Sequence, residues 1–306
     1  MSIVVEDIGK SFARERVLRD ISFTAGSGEL FGLIGPDAAG KTTLLRILAT
    51  LLLPGEGRAW LNGTDVVRGY RSIRRFVGYM PGRFSLYHDL TVAENLRFFA
   101  SVFNVRFDPN SLLISNIYSQ IAPFSRRPAG KLSGGMKQKL ALCCALIHKP
   151  SILLLDEPTT GVDAVSRNEF WEMLTNLKDH GITIMVSTPY MDEARRCERV
   201  ALIQKGDIMQ VDTPAAIVKG FGRSIFTVKS INLYRTLLLL RESPAVHSVY
   251  PSGQVLHFVP AGGRADIAVA ETYLRENGVN DFRFEEREPD IEDCFMELMR
   301  QEAGNG

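Results

Sequence analysis

An α/β fold built on a parallel sheet, with a smaller α+β unit after it, is what this sequence predicts. Three observations carry the prediction. Short apolar runs alternate with segments of helical period through residues 1–215, the pattern of parallel strands joined by helices. One of those runs, Phe31 to Ile34, ends in a glycine-rich loop that opens a helix. Beyond Gly220–Gly222 the pattern becomes β-α-β-β-α-β with a final helix, the order of a ferredoxin-like unit.

The elements follow in order. Residues 2–6 alternate and predict an edge strand, with Phe12 after a short basic turn. Val17 to Phe23 predicts a second strand, and Gly26-Ser27-Gly28 a turn into the strand at 31–34. A helix is expected from Lys41 to about Leu53, closed by Pro54-Gly55-Glu56-Gly57. Residues 57–62, a short helix near 70–75 and the strand Phe76–Met80 continue a mixed segment. From about 82 to 149 the period is helical, which predicts a helical insertion. Ser151 to Leu155 is apolar throughout, as a strand buried on both faces should be. A helix over 167–180, a buried strand over 182–187 and two short strands at 200–204 and 207–211 complete a domain of residues 1–220. Residues 221–306 form the accessory domain, in which His247 and His257 read as structural or surface residues.

Composition narrows the class. The chain of 306 residues is 45% hydrophobic and 23% charged with a formal charge of +1, which marks neither a nucleic-acid binder nor an acidic-surface binder. No apolar run reaches the roughly 18 residues of a membrane span, and the N-terminus lacks a signal peptide's apolar centre. The expectation is a cytoplasmic protein. Cys143, Cys144, Cys197 and Cys294 show no C-x-x-C spacing, so reduced buried thiols are expected.

The chemistry sits in the loop. Gly35 to Thr42 fits G-x-x-x-x-G-K-[ST], the phosphate-binding loop of P-loop NTPases. Its glycines let backbone N–H groups close on an anion, and the helix opening at Lys41 adds its positive end. Lys41 should reach the outer phosphates and Thr42 should hold Mg²⁺. Ile152 to Leu155 ends in Asp156-Glu157-Pro158. Asp156 would hold Mg²⁺, and Glu157 is placed to act as general base on an attacking water. In Leu132-Ser133-Gly134-Gly135-Met136, Ser133 caps the following helix and the glycines leave amides bare for an anion.

These motifs, in this order, resemble those of the ATP-binding subunit of an ATP-binding cassette (ABC) transporter over residues 1 to about 215. Gly35 to Thr43, with Pro36, Asp37, Ala38 and Ala39 inside it, is similar to the Walker A loop. Residues 152–158 are similar to Walker B, 132–136 to the family signature and Gly161-Val162-Asp163 to the D-loop. The stretches 77–96 and 186–200, and a tail over 288–299, resemble single-cassette subunits of ABC-2-type exporters. The resemblance implies a RecA-like core with antiparallel β and α-helical subdomains. It implies ATP and Mg²⁺ as cofactors, and Phe12 as the aromatic that stacks on adenine. It further implies two cassettes paired head to tail, as homodimer or heterodimer. Ser133, Gly134 and Gly135 would then act in trans on the γ-phosphate, and Asp163 would tie the two sites together. The other implied partner is a separate transmembrane permease, with the chain peripheral on the cytoplasmic face.

Two positions depart from the family pattern. Gly82 stands where a glutamine is expected and Pro189 where a histidine is expected. Neither offers a side-chain donor, and proline also lacks an N–H. Arg83, Ser187, Thr188 and Tyr190 are the neighbouring polar candidates to stand in. The departures set a second reading beside the exporter ATPase: a nucleotide-gated cassette that hydrolyses ATP weakly or not at all. A GTPase is disfavoured because N-K-x-D is absent. A translation or repair ATPase is disfavoured because tandem cassettes, long coiled coils and zinc cysteines are absent.

Overall fold

Alternating burial along the first strands builds a half-exposed sheet. The computed structural model describes residues 2–83 and 85–304; Met1, Phe84, Asn305 and Gly306, and with them the outer ends of the two expected domain spans, lie outside the described residues. β1 (Ile3–Phe12) pairs with β2 (Glu15–Ala25), joined by the tight turn Ala13–Arg14, and each buries one face. β3 (Leu30–Ile34) is buried at every residue and leads through the glycine-rich loop into α1 (Lys41–Leu48). Then come β4 (Glu56–Leu61), β5 (Thr64–Asp65), α2 (Tyr70–Phe76) and β6 (Val77–Met80). The helical stretch holds α3 (Val92–Val102), α4 (Ser115–Ile121) and α5 (Gly134–Leu146). β7 (Ile152–Asp156), α6 (Ala164–Asp179), β8 (Thr183–Thr188), β9 (Arg199–Gln204) and β10 (Asp207–Asp212) close the first unit.

Among the described residues these strands make a sheet in the order β2-β1-β4-β5 and another in the order β10-β9-β3-β8-β7-β6. The second is parallel from β9 to β6 and antiparallel only at β10. β3, β7 and β8 are buried throughout, as strands covered on both faces must be. α1 packs between the two sheets. Its Leu44, Leu45, Ile47 and Leu48 are fully buried with Ile3, Ile21, Phe31, Leu154 and Ile203 in one core. Burial of a leucine or isoleucine side chain is worth about 1.5–3 kcal/mol, so the helix that carries Lys41 and Thr42 is held by both sheets.

Two expectations give way. β1 is not an edge strand ending at residue 6. It runs to Phe12 and lies between β2 and β4, because Ile3–Glu6 pair with Arg58–Leu61 much further along the chain. α1 stops at Leu48, short of Leu53. Leu51 N–H donates to Arg46 O (2.8 Å), Thr50 N–H donates to Ile47 O (3.0 Å), and Thr50 takes φ 60°. That is a Schellman close with threonine where glycine is usual.

The chain divides into Met1–Pro214 and Ala215–Gly306, ahead of the expected hinge at Gly220. α7 (Pro214–Gly220) leads into the second unit, where the Cys294 thiol donates to the Ile217 carbonyl (3.6 Å). The unit continues with β11 (Ile225–Ser230), α8 (Leu233–Glu242), β12 (Val246–Ser252), β13 (Val255–Pro260), α9 (Ala265–Glu276), β14 (Phe282–Arg287) and α10 (Ile291–Gly304). Its strand order, β12-β13-β11-β14 with antiparallel neighbours, is ferredoxin-like. His257 is buried, with Nδ1 2.7 Å from Asp293 Oδ1, and His247 Nε2 lies 2.9 Å from Glu297 Oε1. Each is paired with a carboxylate of α10. All four cysteines are free and buried, and burial pushes the thiols of Cys143 and Cys197 up.

Candidate functional site

Where β3 ends, the backbone has to turn against β9. A Cβ at Gly35 would stand 2.1 Å from the Ile203 carbonyl oxygen, so only glycine fits. The loop continues through Pro36, Asp37, Ala38 and Ala39, with Ala38 at φ 61° and Gly40 at φ 104°. Gly206 N–H donates to Ala39 O (3.1 Å) and pins the loop to the β9–β10 turn. α1 then begins with no side-chain cap. Its first amides are left for an anion, which the helix dipole also favours. Lys41 is only 3% exposed. Its Nζ donates to the carbonyls of Gly35 and Pro36 (both 2.8 Å) and lies 3.1 Å from Glu157 Oε1.

Across the sheet, the β7–β8 register sets Asp156 opposite Ser187. Asp156 is buried, and its Oδ1 accepts from Thr42 Oγ1 (3.0 Å) and Ser187 Oγ (2.8 Å). Glu157 turns at φ 49°, and its N–H is shared by Ser187 Oγ (3.0 Å) and Ser187 O (3.1 Å). Thr42 and Asp156 are hard oxygen donors already in contact, the kind Mg²⁺ takes. Among the described residues no His/Cys/Asp/Glu cluster would cage a metal without a ligand's help. This donor set suits a cation that draws its remaining oxygens from phosphate and water.

Two cavities flank these groups. One, about 620 Å³, is lined by Ala38–Thr43 and Glu157 and rimmed by Arg14, Arg16, Arg19 and Lys205. The other, about 550 Å³, is bounded by Thr42 and Arg46 of α1, by Pro81–Arg83 after β6, and by Asp156 and Glu157. The rim cations and Arg46 escaped the sequence reading. No motif marks Arg14, Arg16 or Arg19, which follow Phe12 in the chain. Lys205, in a hairpin turn, carries no local signal.

Other expected residues stand elsewhere. Phe12 is 47% exposed with Lys10 Nζ 5.4 Å from its ring centroid, and it is not in the wall of the larger cavity. Ser133, Gly134, Gly135 and Asp163 line neither cavity. They lie together at two helix N-termini. Ser133 caps α5, and Asp163 caps α6 by accepting from Val165 N–H (3.1 Å) and Ser166 N–H (3.0 Å). The Ser166 N–H bond is the main cause that holds the Asp163 carboxyl below the usual range. Gly134 packs by Gly161, and Gly135 by Ser166. After β8, Thr188 Oγ1 donates to the buried Glu193 (2.5 Å), which also accepts from Thr159 Oγ1 (3.1 Å). Tyr190 stacks under the Arg167 guanidinium, 5.0 Å from ring centroid to Cζ.

Comparison with known proteins follows the same geometry. Residues 18–160 match the family described as ABC transporter. The Nod factor export ATP-binding protein I of Rhizobium sp. (strain N33) is 34% identical over 99% of this chain and 98% of its own length. The chain belongs to the ABC transporter ATP-binding proteins. The probable multidrug ABC transporter ATP-binding protein YbhF of Escherichia coli (strain K12) is 37% identical over 90% of the chain, which spans only 48% of that protein. A solved ATP-binding subunit of an ABC transporter superposes with a TM-score of 0.65 at 27% identity, over 72% of this chain and 94% of that one. In this ABC cassette the P-loop core is the parallel sheet with α1 and α6. The antiparallel sheet β2-β1-β4-β5 and the helices α3–α5 are the subdomains set around it.

Proposed function

We propose that the chain is the ATP-binding and ATP-hydrolysing subunit that powers a separate transmembrane permease, of the ABC-2 exporter kind. The observation that carries this is the contact of Lys41 with Glu157 (3.1 Å) and of Thr42 with Asp156 (3.0 Å) at one loop. ATP lies along Gly35–Thr43 with its phosphates on the loop amides, Lys41 and the cationic rim, and its adenine on Phe12. Thr42 and Asp156 would hold Mg²⁺, which would supply charge neutralisation to the outer phosphate oxygens. Glu157 takes a proton from the attacking water. The two relatives support export, being described as a Nod factor export protein and a probable multidrug transporter protein. Among the described residues no helix is long and apolar enough to cross a membrane, which fits a subunit that works through a permease on the cytoplasmic face.

One chain holds one copy of each motif. Ser133, Gly134, Gly135 and Asp163 therefore serve a second cassette, identical or not, paired head to tail. ATP closes the pair and hydrolysis opens it, which supplies the differential affinity a two-state permease needs. A second reading, a weakly hydrolysing regulatory or pairing cassette, is favoured by Gly82 and Pro189 alone. Phosphate release by the protein, assembled with its permease and partner cassette, separates the two. Glu157→Gln should lower the rate on the order of a hundredfold or more. Equal rates in wild type and variant would favour the weakly hydrolysing cassette.

A further inference from the structure

The segment after β6 passes close to the acidic end of β7. A Cβ at Gly82 would stand 3.0 Å from the Asp156 carbonyl oxygen and 3.7 Å from its carboxyl carbon. A bare backbone is what permits this approach. The next residue, Arg83, shares the 550 Å³ cavity with Thr42, Asp156 and Glu157. Among the described residues no hydrogen bond or ion pair engages its guanidinium. The polar side chains that end β8 and follow it are already committed. The Ser187 hydroxyl is spent on Asp156, the Thr188 hydroxyl on Glu193, and the Tyr190 ring on Arg167. Lys41 is shared with Glu157 and two carbonyls. Two carboxylates thus border a site for a polyanion, and Arg83 is an uncommitted cation in the same wall.

We propose that Arg83 is a catalytic residue that contacts the γ-phosphate of ATP bound to the same chain. The proposal rests on the ATP site described above. As water's oxygen bonds to the γ-phosphorus, the bond from that phosphorus to the β–γ bridging oxygen breaks. ADP leaves with that electron pair, and the water proton passes to Glu157. Charge spreads over the three equatorial oxygens of the phosphoryl group in transit. A planar guanidinium meets two such oxygens at once, which an ammonium does not. Arg83 supplies that fork from the segment after β6, in the cavity it shares with Thr42.

Binding of ATP and of ADP, each with Mg²⁺, measured by calorimetry in a Glu157→Gln background, tests the assignment. Arg83→Ala should weaken ATP about tenfold, the value of one charge-assisted contact, and leave ADP unchanged. Arg83→Lys should fall between. In the hydrolysing protein, kcat should drop on the order of a hundredfold with Arg83→Ala. Thermal unfolding of each variant should match its parent, since Arg83 is exposed. Equal weakening of ATP and ADP, or no change in either, overturns the assignment while the ATP site stands. A parent that binds neither nucleotide, or binds them unaffected by Lys41→Ala, overturns the ATP site itself and Arg83 with it.

Discussion

At the scale of single residues, one hydroxyl holds both acids of the site. Ser187 Oγ donates to Asp156 and accepts from the Glu157 N–H, and it is fully buried. Glu157 sits in the left-handed region, which costs a non-glycine residue about 1–2 kcal/mol. Its N–H bonds to Ser187 oppose that cost. Ser187→Ala should therefore lower stability by about 1.5–3 kcal/mol, the worth of a hydrogen bond to a charged group. Urea denaturation reads the loss, and phosphate release should slow in the same variant. Lys41, Thr42, Asp156 and Glu157 were legible in the sequence because each belongs to a short local pattern. Ser187 was one of four neighbours of the missing side chains, and only the β7–β8 register shows that it is the one tied to Asp156 and Glu157. Register joins residues 30 positions apart, which no local pattern records.

At the scale of elements, the N-termini of α5 and α6 touch through a glycine. A Cβ at Gly135 would stand 2.6 Å from Ser166 Oγ and 2.8 Å from Ser166 Cβ. Gly135→Ala should cost about 1–3 kcal/mol of stability, the usual price of overpacking. Ser166→Gly in the same chain should recover part of it, and a double-mutant cycle on thermal unfolding measures the coupling. Equal losses with and without Ser166→Gly would show that these helices do not meet through this pair. The misread elements share one cause, a partner or a terminator that local pattern does not show. β1 looked like an edge because β4 lies beyond the phosphate loop. α1 looked longer because Thr50, not glycine, occupies its left-handed close. Buried strands read correctly, since continuous apolar runs are their own signal.

At the scale of the molecule, the two units answer to different perturbations. In the second unit Asp293 is fully buried and takes bonds from Tyr250 OH (2.8 Å), Asp290 N–H (2.7 Å) and His257 (2.7 Å), with Arg287 Nη1 3.2 Å away. Burial pulls the Asp293 carboxyl up, but these bonds and the Arg287 charge outweigh it and hold it below the ordinary 3.8. Its contribution is therefore complete above that value and is lost as pH falls through the depressed pKa. Asp293→Ala should destabilise this unit by about 3 kcal/mol, because it strands buried partners. Both tryptophans, Trp60 and Trp171, lie in the first unit. Their fluorescence should hold while the hydrogen-exchange protection factors of α10, each taken against the intrinsic rate at that pH, fall in the variant at neutral pH and in the wild type in acid. Simultaneous loss of both signals would mean the units unfold as one. The first unit carries a different vulnerability, one of timing. β3 has β8 and β9 for its neighbours, and both are made much later than the phosphate loop. A ribosome adding roughly 5–20 residues per second needs on the order of ten seconds or more to deliver them. Through that interval the apolar edge of Leu30–Ile34 lacks its strand partners, so the segment that leads into the glycine-rich loop is exposed to aggregation while the chain is being born.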